Sequence, residues 1–289
     1  MATPVNIPDD NELKLGYANA LRDYRKAIAA VIELHAKSRH LPMQGVAHLS
    51  RLMFARLMLL SGNLSRLCPD AESEGLWDFS SIALLSRSLF EAILFFRYFI
   101  DETGLEEMRA RLHVLHLYDN NERVRLFKKL GKNDEAARFQ GAVQHYRELL
   151  KGNPFFEGLE VKRQKELLNA SRASLLSLSE MSDKYANDES TWVIHQLLSH
   201  YTHSHPLSFI RNDESRRDGM ANRLDLMYIP GILRWLISLL DNAAKAYGDL
   251  RIGLQGDSPS DIRHEITIST PQEGVQDVNA PGQTPNESN

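Results

Sequence analysis

With 289 residues, 43% of them hydrophobic and 25% charged, the chain has an ordinary globular composition and enough length for one large domain or two small ones. A formal net charge of −4, from 34 basic and 38 acidic side chains, argues against a general nucleic-acid coating role and leaves room for a local basic face. Cys68 is the single cysteine, so no intrachain disulfide can form and a cytoplasmic setting is expected.

Residues 1–10 are polar and proline-bearing, with neither a basic n-region nor an apolar h-region, so a flexible N-terminus without a signal peptide is expected. Apolar residues then recur at helical spacing through Leu13, Tyr17, Leu21, Tyr24, Ile28, Val31 and Ile32, which predicts a first long amphipathic helix. Pro42 is expected to open a second, carried by Leu49, Leu52, Phe54, Leu57, Leu60 and Leu64 and stopped near Cys68-Pro69. The third, entered after Gly75 and running through Ile82 to Tyr98, is apolar nearly all round and should sit centrally. It is the only membrane-span candidate. Arg87, Glu91 and Arg97 within it would each cost about 2.5–3.5 kcal/mol near a bilayer centre, so a buried core helix is the better reading and no membrane span is expected.

Gly104 separates the third helix from a fourth over about 105–130, and Gly131 and Asn133 precede a fifth over about 134–150. Gly152-Asn153-Pro154 breaks the pattern before a more polar helix over about 157–170 and a short one near 172–185. Asp188 or Ser190 can cap a histidine-rich helix that begins around Thr191 and that Pro206 ends or kinks. The last long helix spans about Arg223 to Tyr247, with Pro230 in its early turns and Gly248 as its stop. From about residue 250 the chain turns to Gly, Pro, Ser, Asn, Gln and Asp, apart from a short apolar patch at Ile262-Ile266-Ile268, and reads as a mostly disordered tail. Alternating strand patterns are missing. The expectation is therefore an all-α, single-domain bundle of about eight or nine helices over residues 11–248, with a tail over 249–289.

Two helices carry polar residues where apolar ones are expected. In the third, Arg87 and Glu91 are four apart and share one face, with Tyr98 on the same stripe. In the histidine-rich helix, His195, His200, His203 and His205 fall within eleven residues. His200 and His203 share a face, His195 lies well round from both, and His205 sits at the Pro206 turn. Such groups in an apolar helix are either structural clamps or a site. A His-Glu-x-x-His pattern is absent, as is any Glu-x-x-His, so no metal and no cofactor is assigned. The spacing Arg111…His116 fits the Arg-x(4–6)-His pattern of HEPN ribonucleases, but it recurs at Arg109/His116 and Arg138/His145, about as often as chance allows. Residues 105–132 hold seven Lys/Arg against four Asp/Glu, a mildly basic helix best explained as a solvated face. Gly-rich phosphate loops and a Gly-x-Ser-x-Gly elbow are absent.

The run Leu85-Ser86-Arg87-Ser88-Leu89-Phe90-Glu91, followed by Leu198-Ser199-His200-Tyr201-Thr202-His203, resembles a large bacterial family of all-helical proteins, catalogued as a domain of unknown function and only distantly HEPN-like. The resemblance covers about residues 50–210. It implies a shared polar cluster of Arg87, Glu91, Tyr201 and His203; His200, beside them, is not implied by the pattern. Two functions stand open. In one, a regulatory protein, in stress or defence, uses a buried Arg87/Glu91/His203 cluster as a clamp. In the other, a metal-independent hydrolase acts on RNA or another phosphodiester, with Arg87 binding phosphate, His203 or His200 transferring a proton and Glu91 orienting the imidazole. Exposure discriminates, since a clamp closes off from water whereas a site opens onto a pocket. Partners stay open, with RNA and self-association among them.

Overall fold

The computed structural model describes residues 9–40, 45–73, 75–186, 188–203, 206 and 222–255. Among these residues there are ten helices and no strand, so the all-α bundle is as the periodicity predicts. The helices are α1 (Asp10–Ser38), α2 (Gly45–Leu67), α3 (Phe79–Ile100), α4 (Leu105–Lys129), α5 (Asn133–Lys151), α6 (Pro154–Glu157), α7 (Val161–Leu168), α8 (Leu178–Tyr185), α9 (Glu189–Thr202) and α10 (Arg223–Gln255).

Local chemistry sets many of these limits. Asp9 and Glu12 form a reciprocal capping box at the start of α1, and Ser177 and Glu180 form another at α8. The Asp78 carboxylate accepts from the Ser81 backbone N–H at 3.1 Å and so starts α3. Gly131, with φ +72°, makes the left-handed turn between α4 and α5 that a residue with a Cβ resists. Asn153 caps α6, Pro154 occupies its first turn and Gly158 ends it, so the polar helix expected over about 157–170 is the shorter α7, preceded by a separate turn of helix, α6. The short helix expected near 172–185 begins only at Leu178. At the C-terminal end, Gly248 does not stop α10, which continues to Gln255. Ala243, Tyr247 and Leu250 on either side of it are buried, and that packing outweighs the helix cost of one glycine, roughly 1 kcal/mol. Pro42, His205, the Ile262-Ile266-Ile268 patch and the tail from residue 256 on lie outside the described residues.

α3 is the hub. It packs against α2, α8, α9 and α10, while α1 lies on α2 and α10. Phe79, Ile82, Phe90, Ile93, Phe96 and Phe99 of α3 are all buried. By length and composition α3 is the one helix among the described residues that is apolar enough to cross a membrane; four helices cover it here. α4 and α5 form an antiparallel hairpin that rests on α6 and α7. α1 and α10 run parallel: Arg223 Nη1 meets Asp10 at 2.7 Å near one end, and the Tyr247 hydroxyl donates to Ser38 Oγ at 2.8 Å near the other.

Candidate functional site

The polar residues of α3 lead in different directions. Ser86 is buried and its hydroxyl has no hydrogen-bond partner. Arg97 Nη1 donates to the Asn242 carbonyl at 3.0 Å and so ties α3 to α10. Arg87 and Glu91, one helical turn apart, meet through Nε and Oε1 at 2.8 Å. The same guanidinium reaches out of α3: its Nη1 lies 2.9 Å from His203 Nε2. A guanidinium only donates, so Nε2 accepts in this contact and the imidazole proton is assigned to Nδ1. His203 is the C-cap of α9, and its backbone N–H donates to the Ser199 carbonyl at 3.1 Å. Arg87, Glu91 and His203, 116 residues apart at the extremes, therefore come together as the paired helices imply.

Their setting differs from the expected one. The Arg87 and Glu91 side chains are 18% and 39% exposed, and His203 is exposed. The cluster is a rim feature, not a buried core feature. His203 is the C-cap of α9, so the contact is made at a helix end and not along the packed α3–α9 face. The order of contacts also differs. Arg87 stands between Glu91 and His203, so the carboxylate meets the guanidinium.

Tyr201 is not part of this group. It is 5% exposed and sets its ring edge-on to Phe79 at 4.7 Å. Two residues along a helix is more than half a turn, which sends Tyr201 into the core while His203 faces outward. His200 is half-buried one turn before His203.

His195 is the residue that helix-wheel reasoning set aside and the fold brings in. It packs against Phe90 with ring centroids 5.5 Å apart, and its Nε2 is buried without a hydrogen-bond partner. Burial first, and then the Arg87 charge, push its pKa below the usual histidine value; Glu91 opposes them. His195 also lines a pocket of about 280 Å³ between α3, α8 and α9, with Phe90, Ser182, Asp183, Thr191 and Trp192 on its other walls. Thr191 is held in place by the buried Trp235 indole, whose Nε1 donates to its hydroxyl at 3.1 Å. Nothing in α8 alone marks it as a pocket wall; its placement against α3 decides that.

Two of the three Arg-x(4–6)-His pairs, those that share His116, have structural explanations. Arg111 is 1% exposed; it donates to Glu107 from Nε at 3.1 Å, donates to the Tyr98 carbonyl, and lies 4.3 Å over the Tyr98 ring. A guanidinium held in this way cannot meet a phosphate. Arg109 pairs with Glu106 at 2.6 Å, and His116 stacks on Tyr146 at 5.1 Å. Arg123 and Arg125 of the mildly basic helix are likewise paired, with Asp119 and Glu122. Among the described residues no group of three or more His, Cys, Asp or Glu side chains is placed to hold a metal ion.

Comparison with family models, with curated proteins and with solved structures finds no match to this chain.

Proposed function

We propose that the chain is a non-catalytic, regulatory helical protein of the cytoplasm, in which Arg87, Glu91 and His203 form a latch between α3 and the end of α9. The observation that carries this reading is the 2.9 Å contact of Arg87 Nη1 with His203 Nε2 at a water-facing rim. A contact in that position competes with solvent and contributes about 0–1 kcal/mol. Such a contact adds little to global stability and opens easily, which suits a regulated element better than a structural staple. It acts on one place, the last turn of α9, because His203 is that helix's cap.

The hydrolase reading needs a guanidinium free to take a phosphate and a carboxylate that orients the imidazole. Arg87 is engaged on two sides and Glu91 meets the guanidinium, so the geometry favours the latch. The test is His203→Ala. The expected result is a Tm change of no more than about 2–4 °C, faster amide exchange at Tyr201 and Thr202, and no RNA degradation by either protein. Degradation of RNA by the wild type that the variant loses at unchanged Tm overturns the latch and supports the hydrolase.

A further inference from the structure

The pocket between α3, α8 and α9 carries three α8 side chains that the fold has not used. On α8, Glu180 is spent on Arg163 and on the helix cap, and Lys184 is spent on Asp101 at 2.5 Å. Asp183, on the pocket wall between them, makes no hydrogen bond or ion pair among the described residues, and the same holds for the Ser179 and Ser182 hydroxyls beside it. A second carboxylate on the lining, Asp188, is the N-cap of α9 and accepts from the Ser190 backbone N–H at 3.0 Å. Asp183 stands in the last turn of α8, whose C-terminus adds its own negative potential, whereas Asp188 caps the N-terminus of α9.

The remaining walls are Phe90, Leu178, Ala186 and Trp192, together with the Thr191 hydroxyl, which accepts from Trp235, and the His195 ring. Phe90 is buried in α3, and Trp192 is 63% exposed at the edge. An exposed indole next to an acidic mouth suits a cation, whose charge is attracted to the ring face. The neighbouring cations are already engaged: Arg87 with Glu91 and His203, Lys184 with Asp101. A mixed lining of a few convergent polar groups on aromatic walls is what a small-molecule site requires, and about 280 Å³ is near the lower end of the usual size range.

We infer that this pocket binds a small organic amine as its ammonium ion, with the charge at Asp183 and the hydroxyls of Ser179 and Ser182 and the apolar body between Phe90 and Trp192. The recognition is a charge-assisted hydrogen bond at one end and ring contact at the other. A neutral or anionic molecule of the same shape gains only the second part.

Isothermal titration of the full chain tests this with phenethylamine, 2-phenylethanol and 3-phenylpropionate as probes. Saturable binding of the amine, at least about tenfold tighter than the alcohol, with no binding of the acid, is the expected order. Asp183→Asn, at a surface position, should weaken the amine about tenfold and leave the alcohol unchanged. Trp192→Ala should weaken both. His203→Ala should leave amine affinity as in the wild type, so failure of the latch and failure of the pocket are separable. Absence of saturable amine binding, equal affinity for amine and alcohol, or an unchanged Asp183→Asn variant each overturns the proposal.

Discussion

Lowering the pH should weaken the α4–α5 hairpin through His113. The ring of His113 faces Arg109 and Glu106 on its own helix, His116 one turn on, and His145 and Tyr146 from α5. Its Nδ1 is buried without a partner. Burial, then the nearby His116, His145 and Arg109 charges, bring its pKa from 6.5 to about 4. Because the folded value lies below the unfolded one, the unfolded chain takes the proton first. The neutral ring's contribution is intact above pH 6.5 and is lost as the pH falls from there toward 4. At ~1.36 kcal/mol for each pH unit the full span is up to about 3 kcal/mol, and partial access of water to the ring lowers it to about 2 kcal/mol. The assay is urea unfolding followed by circular dichroism at several values between pH 7.5 and 4.5, for the wild type and for His113→Phe, which keeps a ring and removes the proton site. The wild type should lose stability with falling pH, and the variant should lose about 2 kcal/mol less. The same slope in both proteins, or no slope in the wild type, refutes the reasoning.

Arg111→Met should destabilise the protein by about 3–5 kcal/mol in thermal unfolding, because it leaves the Tyr98 carbonyl without its donor and takes the guanidinium from Glu107; a loss below about 1 kcal/mol would show that the Arg111 contacts are dispensable. Cys68 is buried, and burial pushes its thiol up to about 12, so a thiol reagent at pH 8 should react slowly with the native protein and promptly in urea. Fast native labelling would mean that the α2 end opens on its own.

Much of this architecture can be read from apolar spacing. The first five helices fall within a few residues of where the Leu13–Ile32 stripe, Gly104, Gly131 and Gly152 place them, because caps and breakers act locally. The errors arise where distant contacts decide. Gly248 reads as a stop until Tyr247 and Leu250 are found buried against neighbouring helices. Arg87 and His203 can be paired from their motifs, yet whether that pair faces core or water depends on where α9 ends over α3. Tyr201 belongs to the same sequence pattern as His203 and to the opposite helix face. His195 gains its importance only once α8 is set beside α9, and no spacing within α9 encodes that neighbour.

The parallel run of α1 beside α10 has a mechanical consequence. At 1.5 Å rise per residue, the 33-residue α10 is about 50 Å long. Asp10 lies at one pole of this pair and Gln255 toward the other. Tension applied through the two ends therefore pulls the helices lengthwise past each other. The α1–α10 seam, from the Asp10–Arg223 pair at one end to the Ser38–Tyr247 bond at the other, is loaded all at once, as a lap joint is, instead of peeling turn by turn.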